Sequence, residues 1–432
     1  MGISDFYEII REHCPGVLVT VHMSKLTGLK VAVDISIFLN KFVKTAGPQR
    51  WLDSFILLLC TLKRHGIKPV CIFDGPNPPI EKKAEQERRR AEGEKKRQRI
   101  GHGKKLVKTL ETKYLPHDLL PGEDILVEIK SVIGARRGNK VDSINYDDIY
   151  DIVSGLKAAI ARQEKQNMPI LPEYSLRAKE IISIMGFSHF QAEGEAEALC
   201  AGMCHVGLVD AVLSEDTDVL AIGAPFLLAK IDISAQTVVA ISYQEILNEL
   251  DMTSDEFRDL CILLGCDYND RIKGYPPDGK THKKPVGIGA KGAFAMISEY
   301  RRLEEAEKHM VDSDPLIYRR CREIFTPPSA LPDIEIPYNK PIDSAKLNNF
   351  LSDNKVRIGL KYIMDTWKPA ELKFHTHLDM QEVLTDEENS TSEHSTSEDE
   401  MTQDIAEEYI EQEDDQEAEE GLFEIVGDKI PI

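Results

Sequence analysis

Residues 211–223 read AVLSEDTDVLAIG, an apolar run broken by Glu215, Asp216 and Asp218. Acids follow apolar runs elsewhere too: Asp34 after LKVAV, Asp74 after PVCIF, Glu195 and Glu197 in GEAEALC, and Asp267 in LLGCDY. Gathered in one cleft, seven carboxylates would repel one another until several took protons. Divalent cations remove that conflict. An all-oxygen set without His or Cys selects hard ions such as Mg2+ or Mn2+. Two such ions about 4 Å apart polarise a phosphodiester, activate a water and stabilise the leaving oxygen. That chemistry needs no side-chain nucleophile, and the chain has no serine elbow or Cys–His signature. Each acid alone is more simply a helix cap, as Asp34 is ahead of Ile35 and Ser36. The doublet in EDTD resists that reading, because one cap needs one acid. The glutamates leave two pairs open. Glu195 and Glu197 point about 200° apart on a regular helix, whereas Glu193 and Glu197 share a face. The first pair requires Glu195 to sit in an irregular first turn.

The elements that would position these acids follow from the pattern. LKVAV (29–33), PVCIF (69–73) and AVLS (211–214) are short, β-branched apolar runs, as in strands buried on both faces of a parallel sheet. Helical patterns lie between them at 37–45, 51–66 and 195–207. Alternation of this kind predicts an α/β fold, a mostly parallel sheet flanked by helices. In such sheets functional groups collect beyond the carboxyl ends of the strands, where these acids fall. Further helices are expected over 146–163, over 176–190 and over 256–268, with a final helical layer at 339–368. No internal repeat is evident.

Charge is unevenly spread. The chain of 432 residues carries a formal net charge of −21. Residues 386–432 hold 19 Asp/Glu and one Lys, leaving −3 for the other 385 residues. The tail, rich in Ser, Thr, Glu and Asp, is expected to be disordered, and the remainder is free to bind a polyanion. Residues 81–108 hold 12 Lys/Arg against five Glu, a charged helix with a basic excess. No apolar run is long enough to span a membrane, and MGISDFYEII does not read as a signal peptide. Eight scattered cysteines without a CxxC pair suggest buried thiols in a reduced compartment rather than zinc.

Together these motifs resemble the flap endonuclease/XPG family of structure-specific 5′ nucleases. MGI at the start, VAVDIS (31–36), CIFDGPNPP (71–79), GEAEA (194–198), SEDTDVL (214–220) and LLGCDY (263–268) stand in that family's order. The likeness runs over residues 1–80 and 176–300, and more weakly to 368. It implies a PIN-like 5′-nuclease core with two Mg2+ ions, replaceable by Mn2+, on Asp34, Asp74, Glu195, Glu197, Asp216, Asp218 and Asp267. It favours Glu195 with Glu197 over Glu193. It implies a helical arch beginning in the basic stretch, with Lys82 and Arg89, seven apart and so on one helix face, on the scissile phosphate. Lys83 and Arg90 are the neighbouring alternatives. GIGAKGA (287–293) resembles the family's helix–two-turn–helix. There Gly287, Gly289 and Lys291 would meet duplex phosphate at a helix N-terminus, with K+ between, and Gly2 would also lie at the DNA.

The implied organisation is an N-terminal part of the core (1–80), a basic arch and insertion (81–175), an internal part of the core with the helix–two-turn–helix (176–300), a C-terminal helical layer (301–380) and the acidic tail (381–432). The sequence departs from the family at Gly194, where the family has Ser, and at about a dozen extra residues around 275–286 that bring Lys280, Lys283 and Lys284. The span from Asp74 to Glu195 is also longer. No sliding-clamp motif is clear near the C-terminus. The expectation is a nuclear, monomeric, Mg2+-dependent endonuclease cutting branched or flapped DNA, without membrane association. The alternatives are a bubble-cutting nuclease, a 5′→3′ exonuclease, an RNA-processing nuclease or a non-catalytic junction-binding protein.

Overall fold

The doubly buried runs form the middle of a seven-stranded sheet. In the computed structural model, residues 2–133, 144–277, 285–328, 331, 336–338 and 340–367 are described. Lys280, Lys283, Lys284 and the acidic tail lie outside the described residues. The strands are β1 (Val19–His22), β2 (Lys30–Asp34), β3 (Lys68–Phe73), β4 (Ser188–Gln191), β5 (Ala211–Leu213), β6 (Phe226–Asp232) and β7 (Thr237–Ser242). Their order is β1-β7-β6-β5-β2-β3-β4. The five from β6 to β4 run parallel. The strands β7 and β1 close the other edge antiparallel. The sheet is therefore mixed but mostly parallel, as the pattern predicts. In β2, β3 and β5 every residue but the first of β2 and β3 is buried, which is why these three read most plainly in the sequence.

Successive strands progress outward from β2 to β3 to β4, then the chain returns to β5 on the other side of β2. The strand order thus reverses between β2 and β5. At such a reversal the connections leave in opposite directions and open a crevice beyond the carboxyl ends. Asp34 closes β2 and Asp216 follows β5, one on each side of it.

Contacts divide the chain into two units. One takes the described residues up to Asn40, Leu52–Glu85 and those from Leu171 onward. It holds the sheet and α1 (Phe6–His13), most of α2 (Ile35–Thr45) and α3 (Trp51–Arg64), and the first residues of α4 (Lys82–Lys113). The other takes Lys41–Trp51 and Gln86–Ile170, with most of α4, α5 (Glu123–Ile133) and α6 (Ile149–Gln166). Its own core is aliphatic, built from Leu106 and Leu110 of α4, Ile129 and Val132 of α5, and Ile152 and Leu156 of α6.

Back in the first unit come α7 (Pro172–Ile184), α8 (Ala196–His205), α9 (Asp218–Ile222), α10 (Tyr243–Leu250), α11 (Ser254–Leu264), α12 (Ala290–Tyr300), α13 (Leu303–Ala306), α14 (Tyr318–Ile324), α15 (Ser344–Asp353) and α16 (Leu360–Thr366). A two-stranded ribbon, β8 (Lys273–Gly274) with β9 (Val286–Gly287), brackets the extra residues after Gly274. The helix expected over 176–190 ends earlier. Gly186 takes a positive φ of 80° and 188–191 become β4, because glycine there lets the chain turn into the sheet edge without a Cβ clash. All eight cysteines are free and seven are buried. Among the described residues no helix is long and apolar enough to cross a membrane.

Candidate metal centre

The site is built where backbone ends meet. Asp34 is the last residue of β2 and is 4% exposed. It accepts from Ser214 Oγ (3.1 Å) and more weakly from the Ile37 N–H (3.4 Å), so its capping is real but partial. Ser214 also accepts from the Asp216 N–H (3.0 Å), and Asp216 Oδ1 accepts from the Asp218 N–H (3.0 Å). One hydroxyl therefore ties the end of β2 to the turn after β5, and the two aspartates of EDTD lock that turn. Glu215 points another way, accepting from the Lys230 N–H (3.1 Å) of β6.

Asp74 follows β3. Its N–H meets Ser36 Oγ (3.3 Å), its Oδ1 accepts from the Ala196 N–H (2.9 Å), and its carbonyl accepts from Gln191 Nε2 (3.2 Å). Behind it, two backbones touch. The Gly75 N–H donates to the Gly194 carbonyl (2.6 Å) and the Asn77 N–H to the Glu193 carbonyl (3.2 Å). A Cβ on Gly75 would lie 2.1 Å from the Ala192 carbonyl oxygen, so only glycine permits this approach.

The glutamate ambiguity is resolved by one residue's backbone. Glu195 is the N-cap of α8, extended at φ −81° and ψ 144°, and Glu197 is the second residue of the helix. Leaving the helical path at Glu195 cancels the 200° divergence. Asp74, Glu195 and Glu197 present carboxylate oxygens all within 4.8 Å of one another. Glu193 is exposed. On the far side, the chain around Gly2 packs on Thr217: the Ile3 N–H donates to Thr217 Oγ1 (2.8 Å). A Cβ on Gly2, whose φ is 101°, would lie 2.3 Å from Asp216 Oδ1.

The electrostatics are those of crowded anions. Burial pushes the Asp34 carboxyl up to about 7, with Asp74 and Asp216 adding to the shift. Burial drives Glu197 and Asp218 well above the usual range and raises Asp216 and Glu195. Lys82, at the start of α4, answers part of this charge. It pairs with Glu195, and at 3.8 Å with both Glu197 and Asp267. Burial alone would favour its neutral form, but Glu197 and Glu195 outweigh that and hold the ammonium charged. Asp218 is relieved by Lys82 only in part and stays well above the usual range. Both its carboxylate oxygens are buried without a hydrogen-bond partner among the described residues. A buried carboxylate left so costs several kcal/mol unless a cation meets it, and an all-oxygen donor set suits a hard divalent ion.

The structure thus brings the seven expected acids and Lys82 into one electrostatic neighbourhood. Of the other expected site residues, Gly2 lies against Asp216. Arg89 is in α4 within the second unit. Gly287 ends β9, and Gly289 is the N-cap of α12. Each faces open space where a Cβ would be, and Lys291 is exposed, 3.4 Å from Glu12. Sequence reasoning passed over Ser214, Thr217 and the Gly75–Gly194 contact. Their one signal was a small residue beside each acid motif.

The XPG N-terminal domain matches residues 1–96 and the XPG I-region matches residues 186–267. Flap endonuclease 1 of Yarrowia lipolytica is 29% identical over 412 residues, covering 88% of this chain and 92% of that protein. A probable RAD2-like endonuclease of Invertebrate iridescent virus 3 is 26% identical, covering 83% and 92%. The catalytic core of Rad2 in complex with DNA substrate has a similar fold, with TM-score 0.55 at 17% identity over 84% of this chain and 98% of that one. The chain belongs to the flap endonuclease/XPG family of structure-specific nucleases.

Proposed function

We propose that the protein is a Mg2+-dependent DNA endonuclease of the 5′-flap type, hydrolysing phosphodiesters at junctions of single- and double-stranded DNA. The observation that carries this reading is the pair of buried Asp218 oxygens, without a hydrogen-bond partner among the described residues and close to the further carboxylates Asp216 and Asp267. Asp34, Asp74, Glu195, Glu197, Asp216, Asp218 and Asp267 would hold the ions. Once bound, they would supply an activated water and charge for the leaving oxygen. The chain's own residues prepare the site. Ser214 orients Asp34, the Gly75–Gly194 contact sets Asp74 against Glu195, and Lys82 and Arg89 would meet the scissile phosphate. Gly287, Gly289 and Lys291, at the start of α12, would receive duplex phosphate, with K+ as the bridging ion, and Gly2 would border the DNA. The Rad2 core, similar in fold, was solved with DNA substrate, which supports nucleic acid as the partner. A monomer working in the nucleus, or in a host nucleus, fits this role.

The test uses end-labelled 5′-flap, bubble, gapped and blunt duplex DNA, with Mg2+ and with chelator, beside Asp216→Ala. Cutting at the flap base that chelator and substitution both abolish is the expected result. Cutting of the bubble alone, or stepwise from a 5′ end, would overturn the flap assignment. Cutting that survives chelation would overturn the metal.

A further inference from the structure

Lys82 sits where a metal ion's charge is needed. Its ammonium contacts three carboxylates, Glu195, Glu197 and Asp267. Two of the three belong to the Asp74–Glu195–Glu197 group whose oxygens converge within 4.8 Å. The side chain is only 15% exposed, so this is a docked position and not a solvated one. The ammonium also lies 5.8 Å above the ring of Tyr268, itself 5% exposed. The base of α4 is held in turn. Glu81, the preceding residue, pairs with Arg320 of α14 (2.8 Å). One cation cannot serve the whole cluster, however, and both Asp218 oxygens are left without a hydrogen-bond partner among the described residues.

We infer that Lys82 is an internal counter-ion of the metal-free site, which a divalent ion entering at Asp74, Glu195 and Glu197 must displace. The inference rests on the metal-dependent reading above and adds a regulatory step to it. Two cations compete for the same oxygens. The divalent one wins when present, because the field of several carboxylates attracts two charges more strongly than one. The displaced ammonium is then free to meet a substrate phosphate. An ion on the Asp218 side takes oxygens that Lys82 does not contact, so it enters without this competition. Lys82 would thereby be spent on neutralisation when metal is absent and released to substrate when metal is present.

The test uses the full chain without DNA and Mn2+ as the probe, counting free Mn2+ by electron paramagnetic resonance. Lys82→Met should tighten one binding step about tenfold or more, while Lys82→Arg, which keeps the charge, should resemble wild type. A Lys82→Met protein that binds Mn2+ no more tightly than wild type overturns the inference. Wild-type protein gives a second measurement that needs no variant. Amine labelling of Lys82, followed by mass spectrometry, should be slow in chelator and at least about fivefold faster with saturating Mn2+. Equal labelling in both overturns the inference. Failure of wild type to bind Mn2+ at all is a separate result and overturns the metal reading itself.

Discussion

Removing the cation should make the folded state oppose its own charge, and the size of the effect can be worked from Asp34. Burial, then the charges of Asp74 and Asp216, lift its carboxyl from 3.8 to about 7. Three pH units at about 1.36 kcal/mol each come to about 4 kcal/mol. A carboxyl raised on folding binds its proton more tightly in the native state. Its contribution is complete below about pH 4 and is lost as pH rises towards about 7. Glu197 and Asp218 are raised too and act in the same direction. Lys82, held charged, is protonated in both states throughout this window and adds no slope. In chelator, the melting temperature should therefore fall between about pH 5 and about pH 8, by on the order of 5 °C. Mg2+ at a hundredfold excess over its Kd should return about 2.7 kcal/mol near pH 8, and little near pH 5, where protons hold the acids. Asp34→Asn isolates the residue: in chelator near pH 8 it should melt above wild type, with a shallower slope. The assay is thermal unfolding of the full chain across this range. A chelated wild type whose melting temperature is flat or rises with pH, with Asp34→Asn no different, would refute the reasoning.

Gly75→Ala should lose about 2 kcal/mol or more of stability and most activity, since its Cβ would lie 2.1 Å from the Ala192 carbonyl oxygen; melting and cleavage assays check both. Ser214→Ala removes the hydroxyl shared by Asp34 and the Asp216 N–H and should weaken metal binding by about 10–100-fold, read by calorimetry with Mg2+. Gly194→Ser should cost under about 1 kcal/mol. Its Cβ would stand 3.2 Å from the Asn77 carbonyl oxygen and its φ is not in the left-handed region; a large loss of melting temperature would refute this. Lys291→Ala should lower the slope of log binding constant against log salt by about one for duplex DNA, whereas an unchanged slope would remove Lys291 from the interface.

What could be read from sequence was whatever local pattern dictates. Runs such as VAV, PVCIF and AVL had to be strands buried on both faces, because nothing else satisfies so apolar a stretch between helical patterns. Five ordered acid motifs were enough to point to the family. β4 was not legible, since SHFQ carries three polar side chains in four residues, and only pairing with β3 makes it a strand. β1 and β7 pair antiparallel across some 200 residues of chain, and no local signal encodes that partnership.

The sequence by itself determined which acids were available, that hard cations suited them, and that they stood at strand ends. Tertiary structure alone decided how they meet. Periodicity favoured Glu193 with Glu197, and the extended backbone of Glu195 chose otherwise. A basic residue at the start of a charged helix reads as solvated, yet Lys82 is drawn into the acids because the fold buries negative charge beside it. Residue type and spacing are local quantities. The energy of a carboxylate depends on which other charges share its cavity, and that is set only when distant segments pack.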